Sequence, residues 1–312
     1  MSMLADTAFI TDFLSTILRL SIPIIFAALG GVLAERSGVF NVALEGCVLA
    51  GAFGAAVGAY FMGTPIGGLA LGVLLTVGIG LLLAGLAVGL GINQLVAGIA
   101  INILMVGVTA YLARLILGAD ATSTLPGFYP VEIPILSSIP LVGPVLFNQD
   151  PLAYLMYIIV PLCYWFLFKT PFGLIVRAIG DYPIAADTVG VSVPLTRTLC
   201  VIASCALAGL GGCYLVLSQV FVFTEHMSAG KGWIALAAVI LGRWNPVLVF
   251  GACIFFAFCE ALQLRMQFNH PDVPYQLFSM VPFLASFLAL VFFAGRVRPP
   301  AAVGKKYIRG GK

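Results

Sequence analysis

The chain has 312 residues, 62% hydrophobic and 9% charged, with a formal net charge of +3. A soluble domain carries roughly 25% charged residues, so this composition, with a mean hydropathy of +1.13, excludes a soluble globular protein. It predicts an all-α polytopic membrane protein, and at about 20 apolar residues per crossing the length holds about eight to ten helices.

About nine spans are predicted, at 13–34, 46–62, 66–90, 93–117, 151–168, 198–219, 232–242, 247–264 and 276–294. The first residues carry Asp6 and Asp12 and no basic segment, so no cleavable signal peptide is expected. The first two spans are joined by Glu35-Arg-Ser-Gly-Val-Phe-Asn-Val-Ala-Leu-Glu45-Gly. Ionisable groups at membrane depth are costly unless paired or wet. Asn41 and Glu45 lie four apart on one helix face, which either looks into a cavity or belongs to a polar connection. The second span carries a small-residue stripe, Gly46, Ala50, Gly54 and Gly58, and Gly85 and Gly89 repeat the spacing on the third. Such stripes let helix backbones approach closely in lipid.

The fourth span opens with Asn93 and Gln94, and Gln94, Gly98 and Asn102 share a face. Buried amides need partners; these either tie neighbouring helices or line a path for a polar, uncharged solute. The long loop at 118–150 carries Asp120, Glu132 and Asp150 and no basic residue. It reads either as a lid over neighbouring spans or as a docking surface for an external delivery protein.

After the fifth span comes a polar run, Arg177-Ala-Ile-Gly180-Asp181-Tyr-Pro183-Ile-Ala185-Ala186-Asp187-Thr-Val-Gly190. It predicts a small capped helix. Asp181 is the expected cap, Pro183 suits a first turn, and Gly190 suits a left-handed close. Lys231-Gly-Trp-Ile-Ala-Leu-Ala faintly echoes Ser37-Gly-Val-Phe-Asn-Val-Ala-Leu, as in transporters with internal repeats. Glu260 and Gln263 lie near the end of the eighth span with Arg265 just beyond, as a vestibule or an interface pair, and Phe221, Phe223, Trp233 and Trp244 are expected in aromatic belts.

One set of loops, with the tail at 295–312, holds Arg36, Lys169, Arg177, Arg197, Arg243, Arg296, Arg298, Lys305, Lys306, Arg309 and Lys312. The other holds Arg114, Lys231 and Arg265. The positive-inside rule therefore expects a cytoplasmic C-terminus and an external N-terminus. All seven cysteines sit in apolar stretches and read as core residues; His226 and His270 give no metal signal. No phosphate-binding GxxxxGK[ST] loop and no HExxH occurs. The energy for transport is expected from a partner or from an ion gradient.

Four motifs carry a resemblance: residues 35–46, Gly91-Ile-Asn-Gln-Leu-Val-Ala-Gly-Ile-Ala-Ile-Asn102, residues 177–190, and Gly230-Lys-Gly-Trp-Ile-Ala-Leu-Ala-Ala-Val-Ile-Leu-Gly-Arg-Trp244. Together they resemble the permease subunits of ABC importers of the ribose and branched-chain amino acid superfamily, on its purine nucleoside branch. Ribose-type members usually read Asp-Leu-Ser-x-Gly where this chain has Asn-Val-Ala-Leu-Glu-Gly at 41–46. The resemblance implies one permease domain over 1–312, not itself an enzyme, in a bacterial-type plasma membrane. It implies no cofactor on this chain, with ATP and Mg on a partner cytoplasmic ABC ATPase. It also implies a second permease, identical or homologous, and an external solute-binding protein or lipoprotein; nucleic acid is not an expected partner. The loop 169–197 matches the ATPase-coupling segment, with Arg177, Gly180, Asp181, Pro183, Ala185, Ala186, Asp187 and Gly190 its coupling residues. Asn41, Glu45, Asn93, Gln94 and Asn102 are the expected path residues for a nucleoside. A sugar such as ribose, a branched-chain amino acid, or ion-coupled transport are the alternatives.

Overall fold

A computed structural model describes residues 7–118, 124–134, 136–137, 139, 142–269, 274–293 and 298–307. Asp6, Asp120, His270, Arg296, Arg309 and Lys312, named above, lie outside the described residues. The fold is a helical bundle. Its first four helices are α1 (Thr7–Arg36), α2 (Leu44–Met62), α3 (Pro65–Ala84) and α4 (Gln94–Ile116). After α5 (Val142–Leu146) come α6 (Pro151–Lys169), α7 (Pro171–Asp181), α8 (Pro183–Thr188) and α9 (Val193–Tyr214). The chain ends in α10 (Lys231–Leu241), α11 (Pro246–Asn269), α12 (Tyr275–Ser279) and α13 (Val281–Phe293). Two two-residue strands, Val131–Glu132 and Asn148–Gln149, pair antiparallel within the long loop.

Seven helical segments among the described residues are long and apolar enough to cross a membrane, and Lys231–Leu241 and Gln276–Leu288 are shorter apolar helices. Seven of the expected spans thus coincide with long helices, and the two at 232–242 and 276–294 fall on the short ones. Local chemistry starts several of them. Thr64, Asp150 and Thr170 cap α3, α6 and α7, each followed by proline at the first helical position. The C-terminal ends of two spans widen into π-helical turns, at Gly85–Gly89 and Leu215–Val220.

α2 runs through the middle, packed by α3, α4, α9 and α10, and α1 packs against α9, α10 and α11. The small-residue stripe on α2 serves this packing. A methyl group at Gly54 or Gly58 would lie 2.8 or 2.6 Å from the backbone of Gly72 or Gly67 on α3, and Gly51 meets Gly209 of α9 just as closely. The expected stripe on the third span behaves differently. Gly85 and Gly89, which fall in the π turn, have nothing within 4 Å, and the approach is made instead by Gly68, Gly72 and Gly80.

Candidate functional site

The chain turns back inside the bundle twice, and the two turns meet. The first, residues 37–43, leaves α1 and runs along α9. Arg197 Nε donates to the Ser37 carbonyl at one end, and Asn41 Nδ2 donates to Ser204 Oγ at 2.8 Å at the other. That stretch of α9 is about 10 Å long at about 1.5 Å per residue, so α2 starts well inside the bundle. Amides supply the bonds the broken helix lost. The Phe40 N–H donates to Gln94 Oε1 at 2.6 Å and the Ala43 N–H to Asn41 Oδ1 at 3.0 Å. Asn102 accepts from the Gly46 N–H at 2.8 Å and donates to the Val42 carbonyl at 2.9 Å. Asn41, Gln94 and Asn102 are all buried, whereas Asn93 is exposed and caps α4 through Leu95. The structure thus gathers Asn41, Gln94 and Asn102 around one chain reversal. All three bond protein groups there.

The second turn, residues 221–230, connects the π turn after α9 to α10. Gly232 approaches so closely that a methyl group there would lie 2.4 Å from the Glu45 nitrogen. The two helix starts therefore meet head to head, with the Glu45 carboxylate between them. Its two oxygens accept from the N–H groups of Gly230 and Gly232 at 2.9 and 2.7 Å. An anion suits both positive helix starts. At the far end of α10, Arg36 donates to the carbonyls of Trp244 and Arg243 at 3.0 and 3.3 Å. α10 is thus held by an acid at its start and a base at its end, from the two sides of the first turn. At 11 residues it spans about 16 Å, near half of a 30 Å hydrocarbon core.

Four side chains lie elsewhere than the sequence suggests. Lys231 is buried rather than in an outer loop, and its Nζ lies 2.7 Å from Glu260 Oε1. A lysine and a glutamate inside apolar helices were the available signal; their pairing was not. Trp244 is buried, not a belt residue, and its indole N–H donates to the buried Glu35. Phe223 is buried too, edge-on to Phe53. Arg265, expected at a vestibule or in an interface pair, lies over the Phe9 ring at 3.8 Å and near Asp12.

The long loop covers the end of the bundle opposite Arg36. The N–H groups of Leu125 and Phe128 donate to the Phe221 and Leu217 carbonyls at 2.8 and 2.7 Å. Asp150 is held by the Leu152 and Ala153 N–H groups and by Ser218, while burial raises its pKa. At the exposed rim, Arg114 pairs with Glu225 and keeps that carboxyl below its ordinary range.

The run 177–190 is built differently from the expectation. Asp181 is the last residue of α7 and caps nothing. α8 starts at Pro183, with Tyr182 at its cap position and no side-chain cap bond; Pro183 suits that first turn. Gly190 does close it, with φ +87°, its N–H donating to the Asp187 carbonyl. Gly180 is buried, and a methyl group there would lie 2.1 Å from the Arg36 carbonyl. Ala186 is the inward anchor, packed with Ile179 and Val193. Ala185 faces outward, and around it Tyr182, Ile184 and Val189 are 74, 64 and 78% exposed. Arg177 does not join this ridge; its guanidinium stacks 5.0 Å from the Phe168 ring.

All seven cysteines are buried and free, and among the described residues no group of three or more His, Cys, Asp or Glu forms a metal site.

Comparison with known proteins fits this architecture. The chain is 37% identical to the guanosine ABC transporter permease protein NupQ of Bacillus subtilis, over 92% of this chain and 93% of that protein. It is 32% identical to the nucleoside ABC transporter permease protein NupC of Lactococcus lactis, over 93% and 94%. It is 31% identical to the putative glucose ABC transporter permease protein TsgC13 of Haloferax volcanii, over 83% and 79%. No solved structure matches. Residues 13–291 match the family described as branched-chain amino acid transport system / permease component, so this chain belongs to that family of membrane permease components.

Proposed function

We propose that this chain is the transmembrane permease subunit of an ABC importer that moves nucleosides. The observation carrying the substrate is near end-to-end similarity to relatives named for guanosine and nucleosides. The helix geometry supports a transporter independently: two helices start inside the bundle with their N-termini opposed, the arrangement by which discontinuous membrane helices build a central site. In this reading α10 and α13 complete about nine crossings. The end bearing Arg36, Lys169, Arg243 and the tail faces the cytoplasm and the N-terminus lies outside.

The ridge Tyr182–Val189 fits the coupling role. Large apolar side chains exposed beyond the spans call for a protein cover, and here that cover is a partner ATPase, which holds the ATP and Mg. A second permease and an external solute-binding protein complete the assembly. Ala185, Tyr182, Ile184 and Val189 touch the ATPase; Gly180 and Ala186 hold the ridge in place. Asn41, Gln94 and Asn102 brace the path rather than touch solute, and Glu45 fixes α10 against it.

The test is uptake of radiolabelled guanosine in a deletion strain carrying the wild-type chain or Ala185→Trp. Restoration by wild type, competed by adenosine but not by ribose or leucine, is expected. Ala185→Trp should reach the membrane yet lose about tenfold or more of uptake, while ATP hydrolysis continues uncoupled. Ribose or leucine uptake restored in place of guanosine sinks the substrate; full uptake with Ala185→Trp sinks the coupling role.

A further inference from the structure

The C-terminal segment is tied to the base of the coupling ridge. The Ala302 N–H donates to the Gly180 carbonyl at 2.8 Å, and Arg197 Nη1 donates to the Lys305 carbonyl at 3.2 Å. Tyr307 packs against the cluster of Ile179, Ala186 and Val193. Between this segment and α8 lies a cavity of about 510 Å³, lined among others by Asp181, Tyr182, Ile184, Arg197, Lys305 and Lys306.

Its walls are unbalanced in charge. Arg197, Lys305 and Lys306 face one acid, Asp181, whose field also falls on Arg36. Both lysines are exposed, and neither makes an ion pair among the described residues. Tyr182 and Ile184, which need an apolar cover, stand on the same wall. A surface that covers them also closes over the lysines. Taking unpaired ammonium groups out of water is unfavourable unless an opposite charge arrives with the cover.

We infer that residues 301–307 form the second half of the ATPase footprint, and that the ATPase sets carboxylate side chains over Lys305 and Lys306. This rests on the coupling role proposed for α8. The tail then does two jobs: its backbone braces Gly180, and its lysines select an acidic partner surface. Charge complementarity of this kind governs partner choice more than raw affinity.

The test uses the assembled transporter, purified through a tag on the permease, with retained ATPase measured across a salt titration. Lys305→Glu and Lys306→Glu should each retain about three- to tenfold less ATPase at low salt. Lys305→Arg should match wild type, and wild-type retention should fall as salt rises. The Lys305 side chain can be changed without touching the carbonyl that Arg197 uses, so its thermal unfolding should not shift; Lys305→Gln, with intermediate retention, serves if the reversed charge fails to accumulate. Wild-type retention in folded Lys305→Glu and Lys306→Glu, with no salt dependence, overturns the inference. If Ala185→Trp still uncouples in that case, the coupling role of α8 survives and only the tail's part is lost.

Discussion

Between α1 and α2 the chain abandons helical bonding for seven residues (37–43) with one left-handed position, a glycine at Gly38 (φ +91°). Between the π turn and α10 it does so with left-handed positions at Phe221, His226 and Ala229 before Gly230, and Arg243 and Trp244 repeat the strain at the other end of α10. The first turn is braced by three buried side-chain amides and a guanidinium. The helix that follows the second is anchored from outside, by the Glu45 carboxylate and the Lys231–Glu260 pair at its start and by Arg36 at its end. A non-glycine residue in this region costs about 1–2 kcal/mol, and such strain persists only where the surroundings impose it. The first turn therefore belongs to a fixed frame, while the second holds α10 in a state with less margin. A transporter that alternates between two shapes needs both kinds of element.

The sharpest way to break this contrast is Asn102→Leu. It strips partners from the Gly46 N–H and the Val42 carbonyl, both in the frame. We expect a loss of about 2–5 kcal/mol, read as a large fall in the thermal-unfolding midpoint in detergent and poor accumulation in the membrane. A small shift means the amides are not the brace. Next is Glu45→Ala, which orphans the N–H groups of Gly230 and Gly232 at an expected cost of about 2–3 kcal/mol. Glu45→Gln should cost less, about 1 kcal/mol, since it keeps an acceptor and loses the charge. Equal effects from the two would deny the acceptor role. Smallest, and opposite in sign, is Ala229→Gly. It should raise stability by about 0.5–1 kcal/mol by removing the left-handed penalty, read as a higher unfolding midpoint and, if the strain drives motion, slower guanosine uptake. A lower midpoint would show that Ala229 is not strained.

The ridge at 182–189 shows how sequence and structure divide the information. Pro183 and Gly190 act where the sequence put them, since each has a conformational preference of its own. Asp181 does not cap α8. Its cap propensity was real, but α7 extends through it, and a helix end is settled by what packs behind it, here the Arg36 carbonyl against Gly180. The same holds for the glycine spacings: Gly54 and Gly58 on α2 and Gly85 and Gly89 in the π turn are alike in spacing, yet only the first pair meets a neighbouring helix.

What the sequence determined by itself is what depends on near neighbours. Hydropathy over about 20 residues marks the long helices, caps and prolines mark their starts, and polar residues inside apolar runs mark where the chain has unusual business. Only the tertiary structure decided what those polar residues meet. Glu45 finds Gly230 and Gly232, Lys231 finds Glu260, and Trp244 finds Glu35. A buried polar group must be satisfied, so the sequence could announce that each needed a partner. The partner lies far along the chain, outside the reach of any local spacing, and was fixed only when the helices packed.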